Sequence, residues 1–263
     1  MKFIPIILSV FAFLSCSKNA VEGIDYSNRS RITISFSHVA GEKDLSLGNT
    51  TYVNPSGEEF KVAELKYFIS NISFTKTDGS VYVVPQDSCY FIIDHSQSSS
   101  LTPIVTTPAG QYTKMSFLIG VDSLRNTKDI SQRLGALDPT GSAADMYWTW
   151  NSGYIFFKME GSSPVSPQTD KSFRYHIGLY GGNSSGTINN IKRININFSP
   201  ENIVKVGEAK NSTIYLKGDI LKVFSGKNNI SIASNSVVMA TPNSASIAEN
   251  YANMFTHVKT TND

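Results

Sequence analysis

Histidine is scarce in this sequence, with four imidazoles among 263 residues, so each can be judged by its neighbours. His38 lies near the end of the segment RITISFSHV, which alternates apolar and polar residues as a half-buried strand does. It shares strand parity with Ile32, Ile34 and Phe36, which directs its ring toward the buried face. A core histidine held by hydrogen bonds and a metal ligand are the two interpretations open at this position.

The other three histidines occur in three different settings. His176 lies in FRYHIG opposite apolar neighbours, so we place it on the more polar face of a strand. His257 follows the last predicted helix, and His95 follows IID into a serine-rich loop, where we interpret it as an ordinary surface residue. Imidazoles gathered from distant strands at one end of a sandwich would suit copper or zinc, but their spacing alone does not indicate a site.

Both tryptophans of the chain lie in the stretch MYWTWNSGYIFFKMEG, residues 146–161. Trp148 and Trp150 share a face with Met146 by the period of two, and NSG at residues 151–153 is a tight-turn signal. The stretch therefore predicts a hairpin whose tryptophans fill the core, where each would bury a large apolar area. Two other uses stay open, a stacking platform for sugars and a redox-active tryptophan beside a metal.

Catalytic signatures do not occur in the sequence, which contains no G-x-S-x-G, H-E-x-x-H or C-x-x-C. The segment GGNSSG lacks the lysine and the following helix of a phosphate-binding loop. Four aspartates of one loop region do not follow the spacing of a calcium-binding loop: Asp122, Asp129, Asp138 and Asp145. Since no nucleophile can be paired with a base, we predict a protein that is not an enzyme.

The elements that would position these side chains are short strands. Segments such as CYFIID, YTKMSFLIG and STIYLKGDI recur at regular spacing, separated by Gly, Asn, Ser and Pro. This pattern predicts an all-β fold, an antiparallel β-sandwich, with a short C-terminal helix in SASIAENYANMF. Ser246 and Glu249 form a capping-box pattern in that helix, and a short helical turn is expected at residues 62–65.

The N-terminal residues predict export. Residues 1–15 combine one positive charge with an apolar run too short to span a bilayer, as a secretory signal peptide does. Cys16 at the end of this run is typical of bacterial lipoproteins, in which the cysteine carries lipid after cleavage, with ordinary secretion as the alternative. Residues 16–30 read as a polar tether, and residues 31–263 as one domain. We expect an outer-membrane lipoprotein of the cell envelope, periplasmic or surface-exposed, tied to the membrane by this lipid.

The composition narrows the possible partners. The formal net charge is +2, and no basic patch with interleaved aromatics occurs, so nucleic acid is not an expected partner. Once Cys16 carries lipid, Cys89 is the only thiol left in the mature chain, so no intramolecular disulfide can form. Cys89 lies in an apolar run, and we expect a buried structural thiol.

Four segments, taken in order, resemble the MbnP family. They are LKYFISNISF with a following DG, GQYTKMSFLIGVD, LDPTGSAADMYWTWNSGYIFFKMEG and FRYHIG, of which the aromatic stretch is the most specific. The resemblance covers residues 31–181 well and fades through residues 182–244. It implies a β-rich envelope protein whose characterised relatives bind copper through histidine ligands.

The resemblance also implies candidate site residues in this chain. His38 in FSHVAG and His176 in YHIG match family segments, and His257 is added by its position after the terminal helix. In some relatives a tryptophan, oxidised to kynurenine by a dihaem partner enzyme, assists metal binding, which makes Trp148 and Trp150 candidates for a redox or supporting role. The chain has no other tryptophan, so kynurenine chemistry depends on these two.

Two functions follow as expectations. The first is a lipid-anchored copper-binding protein of the bacterial cell envelope, non-catalytic, in metal acquisition or storage. The alternative is a surface lipoprotein that binds glycan or a protein partner without metal and uses an exposed tryptophan as a stacking surface. Convergence of His38 and His176 would favour the first, and exposure of Trp148 or Trp150 would favour the second.

Overall fold

The structure is a computed structural model, and it describes residues 29–151, 153–182, 185–207 and 210–263. The predicted signal peptide, the lipidation site Cys16 and the tether up to residue 28 lie outside the described residues. Within the described residues, no helix has the length and apolar character needed to cross a membrane.

The described residues form two β-sheets with short helices between strands. The smaller sheet contains five strands: β1 (Arg29–Ala40), β2 (Lys43–Asp44), β7 (Ile104–Pro108), β14 (Ser212–Asp219) and β16 (Phe255–Asn262). The larger sheet contains eleven: β3 (Tyr52–Val53), β4 (Glu59–Lys76), β5 (Val81–Val83), β6 (Phe91–Asp94), β8 (Gly110–Ile119), β9 (Tyr147–Trp148), β10 (Gly153–Ser162), β11 (Ser172–Gly178), β12 (Lys192–Asn197), β13 (Val204–Val206) and β15 (Val237–Val238). The α-helices are α1 (Ser123–Asn126) and α2 (Asn243–Tyr251). Single 3-10 turns cover Gln86–Ser88, Ser98–Leu101, Ile130–Gln132, Gly135–Leu137, Ala144–Met146, Pro200–Asn202 and Ile220–Val223.

The two sheets pack face to face, which confirms the predicted all-β sandwich with a short helix near the C-terminus. The strand order of the smaller sheet is β16-β14-β1-β2, with β7 also paired to β1. The central order of the larger sheet is β12-β8-β4-β10-β11-β15. Most pairs are antiparallel, as predicted, but β1 with β14 and β11 with β15 are parallel.

Alternate residues of the strands fill the interior between the sheets. β1 directs Ile32, Ile34 and Phe36 inward, as its alternation predicts, and all three are buried. Across the interior, the ring of Phe36 meets the ring of Tyr67 on β4, with centroids 6.1 Å apart. The main hydrophobic core therefore joins both sheets.

A second hydrophobic cluster covers the opposite face of the larger sheet, which we call the outer face. Tyr67 and Phe68 are consecutive in β4 and belong to the interior core and to the outer cluster respectively. Phe68 packs there with residues that follow β8 in the chain: Val121, Leu137, Ala143, Met146 and Trp148. We call this covering segment, residues 121–151, the outer layer.

β4 is one long strand, so the predicted helical turn at residues 62–65 is wrong. The local apolar spacing also suits a helix, but pairing with β3 and β10 decides the conformation. Midway along β4, Asn71 adopts a φ of 49°, and the register with β8 shifts beside it. β4 pairs with β10 at residues 61–67 and with β8 at residues 69–76, so this bulge lies within the part of β4 that pairs with β8.

The predicted C-terminal helix is present as α2, but its cap differs from the prediction. The helix begins at Asn243, so Ser246 lies inside it, and the Glu249 carboxylate binds side chains outside the helix instead of closing a capping box. After α2 the chain continues into β16, which forms one edge of the smaller sheet. His257 therefore lies in a strand.

The aromatic stretch forms a hairpin, as predicted, but its turn begins earlier than the sequence suggests. β9 contains only Tyr147 and Trp148, which pair with Tyr154 and Gly153. Trp148 is buried, whereas Trp150 lies in the turn with 66% of its surface exposed. The interpretation of both tryptophans as core residues is therefore right for Trp148 and wrong for Trp150.

Candidate metal-binding site

Two histidines meet in the interior, and we call them the imidazole pair. The Nδ1 atom of His38 lies 2.9 Å from the Nδ1 atom of His95. The second nitrogen of each ring also has a partner, because His38 Nε2 lies 2.8 Å from the hydroxyl of Tyr67. His95 Nε2 lies 3.1 Å from the carbonyl oxygen of Leu45. The four groups thus form one continuous chain of hydrogen bonds.

The carbonyl of Leu45 fixes the protonation of this chain. A carbonyl oxygen can only accept, so His95 Nε2 carries its proton and donates to it. His95 Nδ1 is then an acceptor, and His38 Nδ1 donates to it. His38 Nε2 in turn accepts from the hydroxyl of Tyr67. Both rings are neutral in this arrangement, and each has a defined tautomer.

Burial keeps His38 and Tyr67 uncharged. His38 is 3% exposed. Burial and, second, the neighbouring imidazole of His95 lower the pKa of His38 to about 3, because an imidazolium there would lose its hydration. Burial also raises the pKa of Tyr67 well above its ordinary value, so its hydroxyl keeps its proton. His38 is therefore a neutral imidazole at physiological pH, which is the form that binds metals.

The neighbouring strands position the ring of His38 and its partner carbonyl. His38 is paired with Gly218 of β14, and a Cβ atom on Gly218 would lie 3.2 Å from Cδ2 of His38. The glycine therefore makes room for the imidazole. On the other side of β1, β2 pairs with the end of β1, and Leu45 follows β2 directly. The backbone N–H of Leu45 donates to the carbonyl of His38 at 3.0 Å. This bond holds Leu45 close to the imidazole pair.

His95 directly follows β6, and its interpretation as an ordinary surface residue is wrong. It is half-buried, and its backbone N–H donates to the carbonyl of Leu65 in β4 at 3.0 Å. The sequence contains a usable signal, since His95 has the parity of Ile93, which is fully buried in β6. A residue that continues the apolar parity just past a strand end can still face the interior.

His176 lies on the outer face of the larger sheet, because the next residue of β11 belongs to the interior core. Its Nε2 atom lies 2.5 Å from Oε1 of Glu160 on β10. Gly178 lies two residues further along β11. The indole of Trp148 comes so close to it that a Cβ atom added to Gly178 would lie 2.7 Å from the indole. The structure thus places Trp148 on the same face as His176 and leaves His38 on the opposite face.

Ion pairs fasten the outer layer to the sheet near His176. Lys66 on β4 lies 2.9 Å from Glu64 and 2.6 Å from Asp145. Lys158 on β10 lies 3.0 Å from Glu64 and 3.6 Å from Asp145. Burial acts to lower the pKa of Lys66, but hydrogen bonds to Asp145 and Glu64 and their charges raise it overall. Since Asp145 belongs to the outer layer, the two lysines hold this layer in place.

His257 lies on β16, at an open side of the sandwich. Its Nε2 atom lies 3.0 Å from Oγ1 of Thr260, and its ring meets the ring of Phe198 with centroids 5.0 Å apart. Burial lowers the pKa of His257. Among the described residues, His257 has no hydrogen bond or ring contact with His38 or His176.

The predicted ligand set of His38, His176 and His257 therefore occupies three separate places. In the part of the chain that the structure describes, no group of three or more His, Cys, Asp or Glu side chains could hold a metal ion. Cys89 is a buried free thiol, as predicted, with a pKa raised by burial. Two nitrogen ligands converge at the imidazole pair, so the three-histidine set stays a prediction and His95 enters as a candidate.

These features define a class: a two-sheet β-sandwich with a buried imidazole pair between its sheets and an outer layer on its larger sheet. The sequence model of the MbnP family matches residues 29–241, and the chain belongs to this family. The fold is similar to that of MbnP from Methylosinus trichosporium, with a TM-score of 0.56, 15% sequence identity, and 81% of this chain and 82% of that chain covered. At that identity the likeness shows the fold alone. No curated protein has a significant match to the chain.

Proposed function

We propose that the protein binds copper at the imidazole pair and serves metal acquisition or storage in the bacterial cell envelope, without catalysis. The observation that carries the proposal is the 2.9 Å separation between Nδ1 of the buried His38 and Nδ1 of the half-buried His95. The family resemblance, which implies histidine-bound copper, supports the same assignment. The lipid anchor at Cys16 and a dihaem partner enzyme stay predictions from the sequence and from that resemblance.

The residues of the pair fit a metal ion. A metal–imidazole bond is about 2.0 Å long, so two nitrogens on one ion lie about 3 to 4 Å apart. The observed 2.9 Å is close to this range, and the half-buried ring of His95 has room to adjust. The other ring nitrogens already contact Tyr67 and Leu45, as metal-bound histidines contact partners outside the metal site.

For His38 to offer Nδ1 as a ligand, the ring must change its tautomer: the Nδ1 proton is released to solvent and a proton from solvent is taken up on Nε2. Without metal, neutral His38 carries its proton on Nδ1, facing His95. As a ligand it would carry the proton on Nε2 and donate it to the hydroxyl of Tyr67, which can accept as well as donate. Tyr67 can therefore pair with Nε2 of His38 in either tautomer, because its hydroxyl donates in one and accepts in the other.

The donor set favours copper over harder cations. The pair offers two neutral imidazole nitrogens, whereas calcium and magnesium prefer oxygen ligands. Among divalent first-row metals, nitrogen sites generally bind copper most tightly, and zinc is the natural competitor. Copper when bound would be held, delivered or stored here, while burial keeps the His38 imidazole neutral.

Titration of the metal-free protein with Cu(I), in competition with a chelating dye, tests this proposal. We expect one Cu(I) per chain and an affinity about 100-fold lower in His95→Ala, because one of two ligands is lost. His176→Ala and His257→Ala are matched controls that each remove one imidazole elsewhere, and we expect wild-type affinity for both. Thermal unfolding of every metal-free variant verifies that it is folded.

The outcomes separate the competing ligand sets. Wild-type Cu(I) affinity in His95→Ala would contradict the proposal. Lower affinity in His176→Ala or His257→Ala, together with an unaffected His95→Ala, would instead support the ligands predicted from the sequence. Parallel titrations with Zn²⁺ measure the preference for copper directly.

A further inference from the structure

We propose that the exposed indole of Trp150, together with the uncharged cavity beside it, binds a neutral saccharide. Trp150 lies in the turn after β9 and is largely exposed. Its ring lies 5.3 Å from the ring of Trp148, at an interplanar angle of 38°. Trp148 is itself buried against Gly178, so it supports the exposed indole from behind and limits its movement.

The cavity beside Trp150 has a volume of about 220 Å³. It begins at Asn151, the residue after Trp150, and continues along Leu179 and Tyr180, which follow Gly178 in the chain. Ser185 and Thr187 line it further. Asn151 joins Trp150 to the cavity along the chain, and Trp148 contacts both Trp150 and Gly178, the residue before the lining residue Leu179.

The polar side chains of this cavity are available to a ligand. Among the described residues, those of Asn151, Tyr180 and Ser185 have no hydrogen-bond partner. One amide and two hydroxyls supply both donors and acceptors, which match the hydroxyl groups of a sugar ring. The flat face of Trp150 matches the apolar C–H face of the same ring, since an indole combines a large apolar surface with a polar edge.

The chemistry of the lining disfavours other classes of ligand. Among the described residues that line the cavity, none is a lysine or arginine, so they offer no guanidinium or ammonium to a phosphate or nucleic acid. None of these described lining residues carries a carboxylate for a cation either. Its volume is below that of cavities for drug-sized ligands, which suits one sugar ring with the rest of a glycan extending past Trp150.

This site does not depend on the proposed copper site. Trp148 and Gly178 lie on the outer face of the larger sheet, whereas the imidazole pair lies in the interior. Saccharide binding and Cu(I) binding should therefore occur independently. Failure of one proposal would leave the other standing.

The test uses binding to a printed array of neutral glycans and NMR titrations with maltose, cellobiose and N,N′-diacetylchitobiose. The spectrum contains two indole N–H signals, and the one missing in Trp150→Phe belongs to Trp150. The shifts of these signals report which tryptophan the sugar touches. We expect saccharide binding that shifts the Trp150 signal and weakens at least about tenfold in Trp150→Ala. Trp150→Phe keeps an aromatic face and should retain most of the affinity. Leu134→Ala, which removes an exposed apolar side chain elsewhere, should change nothing.

Two results would overturn the proposal. One is the absence of binding to every neutral glycan on the array and to the three disaccharides. This result would overturn the proposal even if Trp150 proved to contact a protein partner. The other is saccharide binding that is equally strong in Trp150→Ala and in wild type. Because Trp150 is exposed, its substitution should leave the fold intact, and thermal unfolding verifies this.

Discussion

His38 and His95 show how two adjacent imidazoles can each have a hydrogen-bond partner at both ring nitrogens. All four ring nitrogens have a partner, and the only obligatory acceptor is the carbonyl of Leu45. One carbonyl thereby sets the tautomer of both rings. The hydroxyl of Tyr67 can donate or accept, so it can pair with Nε2 of His38 in either tautomer of that ring.

The buried position of His38 predicts a pH-dependent stability of the metal-free protein. The pKa of His38 is about 3 in the folded chain, against 6.5 for a free imidazole. Between these values the unfolded state binds one more proton than the folded state, so the free energy of unfolding falls as the pH drops. We expect this single group to remove roughly 2 kcal/mol between about pH 6.5 and pH 5.

Chemical denaturation of wild type and of His38→Gln at both pH values measures this effect. The loss of unfolding free energy on acidification should be smaller in His38→Gln by that amount, since glutamine does not titrate. Equal losses in the two proteins would show that His38 is protonated in the folded state, contrary to its burial.

Sequence reasoning succeeded for one member of the pair and failed for the other. The alternation of β1 placed His38 on the buried face, where the structure has it. His95 lies just beyond a strand, where local composition is that of a surface loop, and its contact with His38 joins residues 57 positions apart in the chain. Its parity with Ile93 indicates that His95 faces the interior, but which residue it meets there depends on how the two sheets pack.

At the scale of elements, the parallel pairing of β1 with β14 determines the space around His38. Their register places Gly218 beside His38, and Phe255 of β16 pairs with Gly218 from the other side. A Cβ atom on Gly218 would lie 3.2 Å from His38 and from the methyl group of Met254. A side chain of any size at this position must therefore displace one of these neighbours.

Gly218→Ala should lower the free energy of unfolding by about 1 to 3 kcal/mol, as overpacking of a closed core does. Because the displaced neighbour includes the His38 ring, Cu(I) affinity should fall as well. Gly186→Ala is the matched control, since a Cβ atom there would meet nothing within 4 Å. Chemical denaturation and the Cu(I) titration check both effects, and wild-type behaviour of Gly218→Ala would show that the register does not constrain the ring.

The strands were predicted in outline because the alternation of apolar and polar residues is a local signal. The residues at which a strand begins and ends depend on its pairing with other strands. The aromatic hairpin was expected, but its turn begins at Thr149, which moves Trp150 from the core to the surface. In β4 the segment at residues 62–65 suits a helical turn by itself, but pairing with β3 and β10 holds β4 in the extended conformation of a strand. Both errors arise where tertiary contacts override local preference.

At the scale of the whole molecule, the larger sheet separates two sites. Its interior face meets the smaller sheet and contains the imidazole pair, and its outer face carries the outer layer with both tryptophans. The core on each side is closed by its own set of side chains. This division should allow the outer layer to be altered without changing the proposed copper site, provided that the sheet itself stays intact.

Met146 tests this separation, because its side chain is fully buried in the outer cluster. Met146→Ala should lower the free energy of unfolding by about 2 to 5 kcal/mol, through the cavity that it leaves. Cu(I) affinity should stay at the wild-type value, since the imidazole pair lies on the other face of the sheet. Met146→Leu, which nearly conserves volume, should cost less than about 1.5 kcal/mol. A Cu(I) affinity that falls with stability across wild type, Met146→Leu and Met146→Ala would mean that the larger sheet couples its two faces.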